Sequence, residues 1–198
     1  MSAESKFVKR VVDEFLDDLQ RAVGCITRQQ LWVAHNRYDP NLRHTITFGR
    51  NAEPVPLRGY SGPTGLQFDL LHQYRITNDA PGQPDLGWRV STMQYEYRIL
   101  DHTERELLVY HWQPGTDNSG PDHPHIHISG TLQGMRSATE RLEIPLDKLH
   151  IPTGRVSIEA VIRMLITEFG VRPLREDWEK RLNETESRFH ERRRRDDW

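Results

Sequence analysis

The order of patterns along the chain predicts an α+β fold, in which an antiparallel β-meander carries an N-terminal helix and two C-terminal helices on one face. Three observations support this fold class. Helical periodicity opens the chain, strand-like alternation fills its middle, and a wide apolar helical stripe follows near the C-terminus. We expect residues 1–198 to form a single α+β domain, with residues 173–198 as a helical C-terminal extension.

The helices are predicted from apolar spacing and from the residues at their ends. Ala3–Val23 repeats apolar residues three and four positions apart with charged residues between them, which predicts an amphipathic helix. The apolar stripe of Ile158–Phe169 follows Ser157, a good N-cap, and precedes Gly170, a good C′ residue. A third helix is predicted to begin near Pro173.

The strands are predicted from alternation and β-forming residues, and the loops from clustered proline and glycine. The predicted strands are Leu42–Phe48, Trp88–Ile99, Glu106–Trp112, His123–Gly130 and a run near Glu140–Pro145. The segment Phe68–Ile76 fits either a strand or a short helix. The predicted loops are residues 51–64, 78–87 and 113–122. The expected core contains Phe15, Val109, Ile126, Ile128, Val161, Leu165 and Phe169.

Composition excludes several classes of protein. Charged residues make up 28% of the chain and the net charge is −2, which argues against a protein that coats nucleic acid through bulk positive charge. The single cysteine, Cys25, excludes an intrachain disulfide and a CxxC zinc site. No apolar run approaches the roughly 20 residues that span a bilayer, and the charged N-terminus does not resemble a signal peptide. We therefore expect a cytoplasmic protein that does not contact membranes.

The run His123-Pro124-His125-Ile126-His127 is the pattern most indicative of chemistry. Side chains alternate along a strand, so we expect the three imidazoles on one solvent-accessible face of the sheet. If the preceding loop closes a symmetric hairpin, His111 lies opposite His123 and adds a fourth imidazole, with Asp122 at the rim. A slip of one residue would place His111 on the other face.

Four interpretations of this histidine face remain open. In the first, two or three of the histidines bind a divalent metal, Zn²⁺ or Mn²⁺, and leave one position for water. The candidate metal ligands are His111, His123, His125, His127 and Asp122. In the second, His123, His125 and His127 act without metal as base and acid on a phosphodiester. In the third, a pair of imidazoles, one of them protonated, binds a phosphate. In the fourth, the strand has a solvated polar face and no catalytic role.

The metal interpretation carries its own expectations. Histidine ligands favour Zn²⁺, Ni²⁺ or Mn²⁺ over Mg²⁺, which prefers oxygen. Because an imidazole must be neutral to bind a metal ion, the affinity should fall as the pH drops through about 6.5.

Other polar residues offer weaker signals. Tyr95 and Tyr97 are core aromatics, or donors to a substrate phosphate if they share the histidine face. His44 would join the cluster only if the sheet brought it near. Arg155 flanks the N-terminus predicted at Ser157, where an anion could bind. The four arginines at 192–195 are surrounded by acidic residues, which favours a solvated helix end over a nucleic-acid contact.

Two short matches connect the histidine run with known families. The H-x-H-x-H pattern resembles the signature of histidine-triad nucleotide hydrolases. His125-Ile126-His127 also resembles the HUH motif of rolling-circle replication and relaxase endonucleases. Those endonucleases use a tyrosine nucleophile, and every tyrosine here precedes the motif.

A broader resemblance covers Gln94–Phe169. A hairpin, a segment rich in aspartate and histidine, and a closing helix resemble the layout of TumE-type toxins of bacterial toxin–antitoxin pairs. The chain departs from that family at Tyr110-His111-Trp112, where the family has a Tyr-Asp-Asn-like strand end. The resemblance implies a toxin-like, histidine-dependent nuclease or phosphodiesterase acting on RNA or nucleotides, with a cognate antitoxin as partner. The alternative is a non-catalytic binding protein whose sheet and helices dock a protein partner.

Overall fold

The computed structural model describes residues 3–34, 36–80, 87–115, 121–129 and 150–196. These ranges form eight strands in one antiparallel sheet and three helices that pack together on one face of it. The predicted α+β class is therefore confirmed. The helices are α1 (Ala3–Val23), α2 (Ile158–Thr167) and α3 (Trp178–Asp196). The strands are β1 (Leu31–Val33), β2 (His44–Phe48), β3 (Val55–Gly59), β4 (Gly62–Asn78), β5 (Trp88–Asp101), β6 (Glu106–Trp112), β7 (His125–Ile128) and β8 (Ile151–Pro152).

The sheet runs in the order β1-β2-β4-β5-β6-β7-β8, and β3 pairs with the first part of β4. Every pairing is antiparallel. Strands β4 and β5 are the longest, with 17 and 14 residues, and lie in the middle of the sheet. The histidine strand β7 therefore lies between β6 and the short strand β8, near one edge. Within the described ranges, no helix is long and apolar enough to cross a bilayer.

The two helices predicted from periodicity and caps occur where the sequence places them. Helix α1 has the predicted bounds and buries Val8, Val12, Phe15 and Leu19 against the sheet and the other helices. Before α2, the Ser157 hydroxyl accepts a hydrogen bond of 3.0 Å from the Ala160 amide, as an N-cap does. After α2, Gly170 adopts a φ of +68°, which glycine reaches without steric cost.

Two predictions from proline and glycine content are wrong. The predicted loop at residues 51–64 contains β3 and the start of β4. Proline is tolerated at Pro56 because, among the described strands, β3 pairs with β4 alone. Its neighbours Val55 and Leu57 point into the core. The third helix begins at Trp178 and not near Pro173. The preceding segment runs along other elements: the amide of Arg172 donates to the Arg58 carbonyl at 2.7 Å.

The predicted strands are recovered with shifted ends. Glu106–Trp112 has the predicted bounds, Trp88–Ile99 continues to Asp101, and Phe68–Ile76 lies inside the long strand β4. The predicted strand His123–Gly130 is shorter and runs from His125 to Ile128 within the described residues. The strand expected near Glu140–Pro145 lies outside the described residues.

The core lies between the helices and one face of the sheet. Phe15, Val161 and Leu165 are buried there, as predicted. Ile126, Ile128 and Phe169 are only half-buried. Val109 is buried on the opposite face, because its neighbours Leu108 and Tyr110 in β6 are the residues that pack on the core. The sheet therefore has a covered face, which packs on the helices, and an open face, on which no described helix lies.

Candidate metal centre

The histidine run lies on the open face because of the alternation of β5, β6 and β7. On β5 the Tyr95 hydroxyl accepts a hydrogen bond of 2.9 Å from the Val156 amide, and on β6 the Tyr110 hydroxyl lies 3.3 Å from Met164 Sδ of α2. These tyrosines fix which side chains face the helices. Their neighbours Glu96 and His111 consequently lie on the open face.

The observed register brings His111 to the histidine run. His125 is the cross-strand partner of His111, and His127 is the partner of Val109. The predicted register placed His123 opposite His111 and is wrong by two residues. Because side chains alternate with a period of two, this error preserves the face, and His111 joins the cluster as predicted.

Three imidazoles meet closely on this face. The ring centroids of His125 and His127 are 4.8 Å apart, those of His111 and His125 are 5.1 Å apart, and those of His111 and His127 are 6.3 Å apart. One nitrogen from each ring lies within 4.8 Å of the other two. We refer to His111, His125 and His127 as the histidine triad.

Nitrogens of His125 and His127 lie slightly closer together than two ligands of one zinc ion would. Nε2 of His125 lies 3.0 Å from Nε2 of His127. Two nitrogens bound to one tetrahedral zinc ion, each about 2.05 Å away, would lie roughly 3.3 Å apart. Without metal, the same spacing accommodates an N–H···N hydrogen bond between the rings. If both Nε2 atoms bound one metal ion, the proton between them would move to the other ring nitrogen of His127, and two neutral imidazoles would bind the ion without a net release of protons.

His125 is held in its neutral form by its surroundings. Its side chain is 2% exposed, and burial is the main cause that lowers the pKa of His125 below the ordinary 6.5. Positive charge on His111, His150 or His123 would lower this pKa further. Nδ1 of His125 donates to the His123 carbonyl at 2.9 Å, which raises the pKa less than burial lowers it and leaves Nε2 as the lone-pair nitrogen.

His123 and Asp122 lie at the rim and outside the triad. Both are exposed and precede β7 in a bend. The His123 ring is 6.0 Å from that of His125, and its backbone carbonyl is the group that orients His125. The expectation of a common solvent-accessible face therefore fits His123 and fails for the buried His125.

A further histidine, His150, meets the triad from the neighbouring strand. Its ring centroid lies 5.0 Å from that of His125 and 4.7 Å from that of His127. Sequence reasoning missed His150 because its position depends on the pairing of β8, a strand of two residues. A strand this short has no alternation from which a face could be read.

An acidic groove opens beside the triad. The cavity has a volume of about 310 Å³ and is lined by Glu96, Glu106, Leu107, Val109, His111, His127, Ile128 and Ser129. Arg98 lies among three carboxylates, with its Nε 2.9 Å from Asp69 Oδ2 and 3.4 Å from Glu96 Oε1, and its Nη1 3.8 Å from Glu106 Oε1. The excess of carboxylates favours a cation over a free phosphate at this place.

The remaining candidates lie elsewhere. Tyr95 and Tyr97 are buried on the covered face, which confirms that they are core aromatics and excludes the alternative in which they share the histidine face. His44 is buried against the Tyr74 ring, at 4.8 Å, and its Nε2–H donates to the Asp39 carbonyl at 2.8 Å.

The basic candidates are engaged in structural contacts. The guanidinium of Arg155 stacks 3.8 Å above the Trp112 ring. Arg192 forms a 2.8 Å ion pair with the buried Asp18 of α1. This pair joins α3 to α1, which gives the arginine a structural role in place of a nucleic-acid contact.

Comparison of the chain with protein-family models, with curated proteins and with solved structures found no match. The resemblances to histidine-triad hydrolases, HUH endonucleases and TumE-type toxins therefore stay resemblances of motif and layout.

Proposed function

We propose that His111, His125 and His127 bind one divalent transition-metal ion, Zn²⁺ or Mn²⁺, which activates water to hydrolyse a phosphodiester of RNA or a nucleotide. The observation that carries the proposal is the 3.0 Å approach of two imidazole nitrogens beside a third imidazole on the open face. Three neutral histidines leave one position of a tetrahedral ion for water. A bound water of this kind ionises near neutral pH.

The charges around the groove favour the metal-dependent version of this chemistry. Glu96 and Glu106 line the groove beside the histidines, and their negative charges repel a phosphodiester. A bound divalent ion would reverse this repulsion and give the phosphate an electrophilic contact. His123, exposed at the rim, is then a candidate to transfer a proton to the leaving oxygen, and Asp122 beside it is a candidate partner for His123.

Metal titration tests the centre directly. Chelator-treated protein should bind one equivalent of Zn²⁺ at pH 7.5 and bind it more weakly at pH 5.5, because protonated imidazoles cannot act as ligands. The variant His125→Ala/His127→Ala should lose at least 100-fold in affinity. The matched control is His102→Ala/His190→Ala, which removes two exposed histidines outside the cluster. Equal binding by both double variants would refute the centre.

Hydrolysis tests the reaction. A fluorogenic RNA and a nitrophenyl phosphodiester should be cleaved by the Zn²⁺- or Mn²⁺-loaded protein, and cleavage should disappear in His125→Ala/His127→Ala. Cleavage that survives chelation and still requires the histidines would point to metal-free acid–base catalysis. Metal binding without any cleavage would favour the non-catalytic binding protein.

The toxin-like role can be examined in cells. If the protein acts on RNA as TumE-type toxins are expected to, its overexpression should slow bacterial growth. His127→Ala should relieve the effect at an equal protein level, and His102→Ala should not. Growth unaffected by the wild-type protein would remove the toxin interpretation and would leave the metal centre to be judged by titration.

A further inference from the structure

We propose that His150 is a fourth, displaceable ligand of the metal centre, which closes the coordination shell at rest and leaves it when substrate binds. This inference rests on the proposed metal site. The ligand exchanged for the His150 nitrogen is water or a phosphate oxygen, so the step moves no electrons and breaks no covalent bond within the protein.

The sheet register places His150 on the same face as the triad. In the pairing of β7 with β8, His125 lies opposite Pro152 and Ile126 opposite Ile151. One residue further along this antiparallel register, His150 lies opposite His127. Cross-strand partners point to the same face, so the two imidazoles meet side by side.

By ring-centroid distance His150 lies as close to the His125–His127 pair as His111 does, although the group of ring nitrogens within 4.8 Å of one another contains His111 and not His150. The His150 ring lies 4.7 Å from that of His127, whereas the His111 ring lies 6.3 Å from it. The distances to the central ring of His125 are 5.0 Å from His150 and 5.1 Å from His111. The two histidines thus flank the His125–His127 pair from opposite neighbouring strands.

Within the described residues, the backbone that carries His150 has fewer strand partners than the backbone that carries His111. His111 lies in β6, which is paired on both sides, with β5 and with β7. Strand β8 has two residues, both exposed, and a single partner strand within the described residues. One further hydrogen bond, from the Thr153 amide to the Pro124 carbonyl at 2.8 Å, holds its end. Of the four imidazoles, His150 is the exposed one.

Ligand number decides what the centre can do. Four histidine nitrogens complete a tetrahedral shell, which is typical of a structural zinc site, and three leave a position for water or substrate. A fourth ligand on a short, exposed strand lets one centre hold its metal firmly and still admit substrate. The cost of moving one exposed side chain is small compared with that of moving the buried His125.

Cobalt substitution tests this assignment. Co²⁺ reports its ligand number through its visible absorption, and azide binds to Co²⁺ only where a position is open or a ligand is easily displaced. We expect His150→Ala to bind Co²⁺ at least tenfold more weakly than the wild type. We also expect its spectrum to respond to azide at a concentration at least tenfold lower. His150→Phe, which keeps a ring in the cluster without its nitrogens, should behave in the same way.

The controls separate this inference from the proposed metal site. His102→Ala should match the wild type, and His125→Ala should lose Co²⁺ binding. If His150→Ala and His150→Phe match the wild type in affinity and azide response while His125→Ala loses the metal, His150 is not a ligand and the triad stands. If the wild type itself binds no Co²⁺ or Zn²⁺, the metal site fails, and the fourth ligand fails with it.

Discussion

His72 lies on the covered face of the sheet and His125 on the open face, and both side chains are 2% exposed. Burial therefore does not distinguish a structural histidine from a candidate ligand in this protein. The partners of the ring nitrogens do. Nδ1 of His72 lies 3.0 Å from the Tyr97 hydroxyl, and Nε2 lies 3.1 Å from the Thr92 hydroxyl.

His72 is satisfied by groups that can both donate and accept, whereas Nε2 of His125 meets another imidazole. Burial lowers the pKa of both rings, to about 3 for His72, where the charge of Arg192 adds to the effect. Both are neutral near pH 7. On the covered face the neutral ring completes a hydrogen-bond network, and on the open face its Nε2 lies 3.0 Å from the Nε2 of a second imidazole.

The largest effect expected from this comparison is on stability. His72→Ala should lower the free energy of unfolding by about 3 kcal/mol, because it leaves a cavity and two hydroxyls without their imidazole partner. Urea unfolding measures the change. Zn²⁺ affinity of the folded variant should equal that of the wild type. The exposed His190→Ala is the matched control, and a cost below about 1 kcal/mol for His72→Ala would break the distinction between the faces.

Local signals predicted much of the fold. Helix α1 and the N-cap Ser157 follow from apolar spacing and from capping chemistry within a few residues. Strand β3 could not be predicted from local signals, because Pro56 and the nearby glycines are also typical of loops. Only the pairing with β4 distinguishes the two cases.

The candidate site was predictable in part, for a geometric reason. The alternation of side chains along each strand predicts that His111, His125 and His127 share one face. An error of two residues in the register leaves that conclusion intact. The long loop before β7 left the register itself open, so His123 was placed in the strand. His150 could not be found, because its position depends on a distant pairing of two residues.

The second prediction concerns Glu159, a buried carboxyl group of α2, on the side of the sheet that the helices cover. Its side chain is 2% exposed in the first turn of α2, and burial raises its pKa to about 7 from 4.5. Bonding to Thr185 and the charge of Arg192 oppose this rise, and the charge of Glu186 adds to it. Because the folded state holds the proton more tightly than the unfolded state, this group makes the protein less stable as the pH rises from about 4.5 to 7.

Glu159→Gln should therefore be more stable than the wild type at pH 8, by on the order of 2–3 kcal/mol, and should show little difference near pH 4.5. Urea unfolding across this pH range measures the difference. The matched control is Glu186→Gln. Burial tends to raise the pKa of Glu186, but its bonds to Ser157 and Arg163 bring it below the ordinary value, so this variant should be less stable at pH 8. A pH-independent effect of Glu159→Gln would contradict the prediction.

A smaller loss of stability is expected from removing the N-cap of α2, a helix that packs on the covered face. Ser157 accepts a hydrogen bond from the Ala160 amide at 3.0 Å and donates one to Glu186 Oε1 at 2.7 Å. Ser157→Ala removes both and should cost about 1 kcal/mol, measured by thermal or urea unfolding. Ser187→Ala, at an exposed position within α3, is the control and should be near neutral. Equal losses of stability in the two variants would show that the Ser157 cap does not contribute to stability.

The smallest change in stability is expected on the open face itself. His127 is half-buried on the face that carries no described helix, so His127→Ala without metal should change the free energy of unfolding by about 0.5 kcal/mol or less. Addition of Zn²⁺ should then stabilise the wild type and His127→Ala to different extents. At a free concentration 100 times the dissociation constant, a ligand that binds only the folded state stabilises it by about 2.7 kcal/mol. The wild type should gain stability of this order, and His127→Ala should gain almost none. If His127→Ala instead costs as much as His72→Ala without metal, the histidines of the open face hold the fold together, and the contrast between the faces is wrong.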